Sequence, residues 1–171
     1  MKHSGSFFDQ NEWFILLSLL LLFALLFRLP RRFPFSVSIL IYVFCFAISI
    51  MSDLILGTPP LDLYDINDTP KYSYADFLTW NLYPPFGYLF LYVYDRFRFR
   101  EISVLFYIVF CALLAVGFEW LTVMAGIFKY KGWNLAHSFP TYLIVLASYV
   151  LFFHLVMYSF RKTRRKAVCI Q

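Results

Sequence analysis

Glu119 is set in the stretch GFEWLTVMAGIFKYKGWNLAHSF, residues 117–139, at the end of a long apolar run. A carboxyl group surrounded by hydrocarbon has three uses: a structural hydrogen bond, an exchangeable proton or bound ligand, or acid–base chemistry on a substrate. A bare charge there is costly, so each use requires donors or a countercharge nearby. Cys111, Ala115, Glu119, Thr122 and Gly126 recur at helical spacing and form one stripe of small or polar residues. Small residues allow helices to approach closely, so this face is expected to point into a bundle and away from lipid.

The companions expected at the same depth are Asp53 near the end of the second apolar segment, Asp76, Trp80 and Asn81 at the start of the third, and Trp133, Asn134 and His137 just before the last. Their spacing brings them together in depth and leaves their lateral contacts open. The leading reading is a neutral Glu119 hydrogen-bonded to Asn81, Asn134 or a Trp indole. The alternative is a proton-exchanging or ligand-binding carboxylate. Pro84 and Pro85 remove two backbone donors, free the carbonyls of Trp80 and Asn81, and are expected to kink the third segment without ending it. A kink satisfied by Asn or water is the first reading; a polar pocket among the surrounding helices is the second.

Other candidate chemistries find less support. His137 reads as a boundary polar contact and His154 as a cross-helix hydrogen bond. With three His and no Cys/His cluster at ligand spacing, neither a metal nor a cofactor is expected. Asp62, Asp65 and Asp68 lack the loop glycine and distal glutamate of an EF-hand and read as a solvated acidic loop. No Ser–His or Cys–His pair has a third member in place for nucleophilic catalysis. Asn67, Asp68 and Thr69 form a glycosylation acceptor pattern.

The elements that must carry these residues follow from composition. The chain is 61% hydrophobic and 15% charged, with mean hydropathy +0.68, which indicates a membrane protein. About 20 apolar helical residues cross the hydrocarbon. Five segments approach that length, at 11–28, 35–56, 76–95, 102–126 and 139–160, so the expected fold is all-α, a single polytopic transmembrane bundle over residues 1–171. The first segment reads as a retained span, because basic residues follow it and no small-residue cleavage site precedes them.

Arg28, Arg31, Arg32, Arg96, Arg98, Arg100 and the carboxyl-terminal RKTRRK fall on one side of these five spans. That asymmetry predicts an amino end outside and a carboxyl end inside. It also accounts for the net charge of +5 by membrane anchoring, with lipid as the partner and no nucleic acid. Cys45 and Cys111 read as small hydrophobes within spans, and Cys169 is a weak acylation candidate. Trp13, Trp80, Tyr83, Tyr130 and Trp133 fit the aromatic belt of a headgroup boundary.

WNLYP at 80–84 echoes WNLAHSFP at 133–140, and each follows a span with an acid near its end, Asp53 or Glu119. Two similar hairpins in parallel orientation would give this pattern. From WNLYPPFGYLFLYVYDRF to the end of the last apolar segment, about half of the chain, the sequence resembles a family of small uncharacterised multi-pass membrane proteins of spore-forming Gram-positive bacteria. The resemblance rests on Tyr83, Pro84, Glu119, Trp120, Gly126, Ile127, Tyr130, Trp133, Ser138 and Phe139. It implies a bacterial cytoplasmic membrane and a shared role for the Glu119 region, and supplies no reaction.

Three functional classes follow. The first is a nonenzymatic accessory or scaffold component that associates with another membrane protein or with itself. The second is a small transporter or proton-coupled binding protein using Glu119. The third is an intramembrane enzyme acting on lipid through Glu119 or His137, a role that requires hydrogen-bond reach of the substrate.

Overall fold

The computed structural model describes residues 10–66 and 74–168, with side chains over 12–66 and 76–163. The acceptor pattern at Asn67, Asp68 and Thr69, and Cys169, lie outside the described residues. Six helices and a two-stranded ribbon appear in the order α1 (Gln10–Arg28), α2 (Phe35–Leu56), β1 (Tyr64–Ile66), α3 (Tyr74–Trp80), α4 (Tyr83–Phe97), α5 (Ile102–Met124), β2 (Phe128–Tyr130) and α6 (Leu135–Val168).

Among the described residues three helices are long and apolar enough to cross a membrane: Phe35–Leu56, Ile102–Met124 and Leu135–Thr163. The expectation of five spans is therefore corrected to three. The third expected span is two separate helices. Pro84 and Pro85 occupy the first turn of α4, where a missing N–H costs no intrahelical bond, so the chain stops at Trp80 and restarts at Tyr83 instead of kinking. The first expected span forms α1, 19 residues long, which is not among the three. The assignment of the amino end to the outside rested on five alternating crossings and falls with them.

Helix faces follow the sequence pattern. Val37, Ile41, Cys45, Ser49 and Asp53 repeat every fourth residue along α2 and are its buried face. Val37, Ile41 and Cys45 meet Phe90, Leu91 and Tyr94 of α4 and Leu146, Tyr149 and Phe153 of α6 in the main core. Ala112, Glu119 and Thr122 are the buried residues of α5, and Glu119 and Thr122 belong to the small-residue stripe, whose Cys111 and Ala115 are half-buried. The other side of α5, including Phe106, Phe110, Leu113 and Leu114, is exposed. A second core joins Ile15, Leu19 and Leu22 of α1 to Leu82 and Ile127, so α1 closes the side of the bundle between α4 and α5.

The two ends of the bundle are tied differently. At one end the Arg32 side chain forms an ion pair with Asp95 and donates to the Asp95 carbonyl at 2.8 Å, fixing the start of α2 to the end of α4. At the other, β1 and β2 pair antiparallel with Tyr64 opposite Tyr130 and Asp65 opposite Lys129. The turn into β2 passes through Gly126 at φ 76°, a left-handed conformation that glycine adopts without steric penalty. Asp62 and Asp65 both pair with Lys131, at 2.9 Å each, through side chains that remain exposed.

Candidate functional site

The ribbon places a tyrosine beneath each of the two helix-borne acids. Asp53, 5% exposed, accepts a hydrogen bond from the Tyr64 hydroxyl at 2.8 Å and another from the Trp80 indole at 2.7 Å. One carboxylate thereby joins α2, β1 and the end of α3. Glu119, 7% exposed, accepts from the Tyr130 hydroxyl and from Ser138 Oγ at 2.7 Å. Trp133 Nε1 donates to the same Ser138 oxygen at 2.8 Å. An indole N–H can only donate, so Ser138 accepts from Trp133 and turns its own hydrogen toward Glu119. The relay Trp133 to Ser138 to Glu119 has a fixed polarity and ties α5 to the start of α6.

Both phenols lie outside the spanning helices and remain donors. Burial raises the Tyr64 hydroxyl above the usual tyrosine range, with the nearby Asp53 charge adding to it. The Tyr130 hydroxyl is raised first by burial and then by its bond to Glu119. Lys131 is also raised, by its bonds to Asp62 and Asp65. Neither phenol therefore ionises near neutral pH, and both acids keep their donors.

The two carboxylates share one cavity. Its volume is about 70 Å³, and its wall includes Ser52, Asp53, Tyr64, Tyr83, Glu119, Tyr130, Trp133 and Tyr142. By the same measure that sets about 10–15 Å³ as the minimum for one water, the cavity holds several waters or one small polar guest.

The residues singled out in the sequence do not all meet. Asp53, Trp80, Glu119 and Trp133 meet at the cavity or hydrogen-bond to its wall. Asp76 is buried and lies within electrostatic reach of Asp53. Asn81 serves the helix break instead: its amide donates to the Phe77 carbonyl at 2.7 Å and its oxygen accepts from the Tyr42 hydroxyl at 2.8 Å. Asn134 is exposed and caps α6, accepting from the backbone N–H of Ala136 at 3.0 Å and of His137 at 3.2 Å. His137 is exposed, with its ring 5.4 Å from that of Trp133. Glu119 thus bonds neither asparagine, and a Trp indole reaches it only through Ser138. His154 pairs with the Tyr94 hydroxyl at 2.9 Å. Among the described residues no group of His, Cys, Asp and Glu could hold a metal ion.

Tyr64 and Tyr142 were missed by reasoning from the sequence, and Tyr83, Tyr130 and Ser138 entered it only through the resemblance and the aromatic belt. A signal for the tyrosines was present. Tyr64 follows Asp53 by 11 residues and Tyr130 follows Glu119 by 11. Upstream, Val-Phe-Cys occurs at 43–45 and again at 109–111, at the same remove from its acid. With WNL at 80–82 and 133–135, the pattern Val-Phe-Cys, acid, Tyr, Trp-Asn-Leu runs twice through the chain. An antiparallel ribbon with Tyr64 opposite Tyr130 is the arrangement that a two-fold axis between two such halves produces.

No family model, curated protein or solved structure matches the chain. Fold and site together define a helical membrane protein, an all-α bundle with three long apolar helices and a hydrogen-bonded two-carboxylate core at one end.

Proposed function

We propose that this protein is a nonenzymatic accessory or scaffold component of a bacterial cytoplasmic membrane, acting through its helix faces on another membrane protein or on a second copy. One observation carries the reading. Both buried carboxylates direct their hydrogen bonds to side chains of their own fold, Tyr64 and Trp80 in one case and Tyr130 and Ser138 in the other. Their chemistry is spent on joining helices to the ribbon. The cavity beside them, about 70 Å³, is far below the roughly 300–1,000 Å³ of sites that enclose metabolite-sized ligands.

Much of the surface left for function is apolar, and it includes the face of α5 with Phe106, Phe110, Leu113 and Leu114. The resemblance in the Glu119 region supports the bacterial assignment. A photoreactive residue at Leu113, compared with one at the buried Ala112, tests the reading in native membranes. A discrete protein adduct from position 113 is expected; adducts to lipid alone would overturn it.

A second reading, a proton-coupled or ligand-binding protein, is favoured by the meeting of Asp53 and Glu119 at one cavity. Proteoliposome flux that ignores both pH and Glu119→Gln would reject its transport form.

A further inference from the structure

A groove of about 420 Å³ opens on the outside of the bundle between α2 and α6, at the end opposite the two-carboxylate core. Val37, 1% exposed, forms its floor with the half-buried Val156 and Phe160. Leu40 and Leu155 line its inner end, and the exposed Ser36, Ser159 and Thr163 its mouth. This order follows from the two helices. The long apolar segment of α2 starts at this end and that of α6 finishes there, so both walls carry hydroxyls at the membrane boundary and aliphatic side chains deeper in. From Leu155 to Thr163 the wall rises about 12 Å.

The exposed charges that flank the mouth are basic. Arg28 ends α1, Arg31 lies in the link to α2, and Arg161 and Lys162 follow Phe160 on α6. Lys162 stands one turn beyond Ser159. The neighbouring acids are placed elsewhere: Asp95 is paired with Arg32, and Glu101 precedes α5, outside the groove. The first turn of α2 contains no acid, and its N-cap, Pro34, makes no side-chain hydrogen bond, so the positive end of the helix dipole adds to the field at this level. The occupant that suits both ends is an amphiphile, apolar in the depth of the groove and anionic at its mouth. A phospholipid meets both conditions in one molecule, whereas free phosphate has nothing to set against Leu40 and Leu155.

We infer that this groove binds one anionic phospholipid, with an acyl chain along Val37, Leu40, Leu155 and Val156 and its phosphate at Ser36, Ser159, Thr163 and Lys162. The site goes beyond the scaffold reading and survives its failure, because that reading concerns the face of α5 and the groove lies between α2 and α6.

The test offers the full-length protein in mild detergent phosphatidylglycerol or phosphatidylcholine of the same chain length, and counts retained lipid by native mass spectrometry. One retained phosphatidylglycerol is expected, at about a tenth of the concentration that phosphatidylcholine requires, and excess inorganic phosphate should not displace it. Ser159→Trp fills the groove from an exposed position and should abolish retention. The double variant Arg31→Gln, Lys162→Gln leaves the groove open and should weaken phosphatidylglycerol retention about tenfold with phosphatidylcholine unchanged. A thermal midpoint matching wild type establishes that each variant is folded, and the double variant decides alone if Ser159→Trp is not. No retained lipid, equal retention of the two lipids, displacement by inorganic phosphate, or full retention in the folded variants would overturn the inference, as would a second protein copy bound in place of lipid.

Discussion

Glu119→Ala is expected to destabilise the protein by about 3 kcal/mol, from the loss of two hydrogen bonds to a buried carboxyl group and the stranding of their donors. The Tyr130 and Ser138 hydroxyls lose their common acceptor, and the Trp133 indole is left bonded to a serine with nowhere to pass its hydrogen. The ribbon and the start of α6 then have no polar tie to α5. Asp53→Ala should cost a similar amount, because Tyr64 and Trp80 lose their acceptor together. Trp120→Ala is the control. It is the adjacent residue, 50% exposed on the outer face, and should behave nearly as wild type. Folded abundance in membranes and the thermal midpoint in detergent measure all three. Wild-type values for Glu119→Ala would remove the structural role from the carboxylate.

Gly87→Leu is expected to prevent the main core from forming. A Cβ added at Gly87 would collide with Cys45 Sγ of α2 and stand 3.0 Å from a ring carbon of Tyr149 on α6. The backbone of α4 can lie against both helices there only because it carries no side chain, the same use of small residues that governs packing in membranes. Overpacking a filled core costs about 1–3 kcal/mol for modest additions, so Gly87→Ala should lose about 2 kcal/mol and leucine more than the fold can bear. Cys45→Ala removes the atom nearest the collision and should recover part of the loss in Gly87→Ala, a coupling that a double-mutant cycle in thermal stability detects. Additive losses would place the close approach elsewhere.

The sequence disclosed the membrane class and the inward stripe of α5, because hydropathy and helical spacing are local properties. It misjudged Pro84 and Pro85. Proline disrupts a helix interior but fits a first turn, and only the packing of Leu82 against α1 and the bond from Tyr42 to Asn81 determine that a new helix starts there. The depth argument brought Asp53, Trp80, Glu119 and Trp133 to one level and could not separate them from Asn134 and His137, which share that level and face outward. Depth follows from position along a helix; lateral contact follows from how the helices pair. The donors Tyr64 and Tyr130 were hidden for a related reason, since three-residue strands give no periodic signal and their pairing joins segments far apart in the chain.

The central claim is that Glu119 is the acceptor that joins α5 to the ribbon and to α6. Difference infrared spectroscopy of the full-length protein in lipid, with the Glu119 carboxyl band assigned against Glu119→Gln, tests it most directly. Tyr130→Phe and Ser138→Ala should each shift that band, because each removes one of its donors, while Asn134→Ala should leave it in place. A Glu119 band indifferent to Tyr130 and Ser138 would contradict the account.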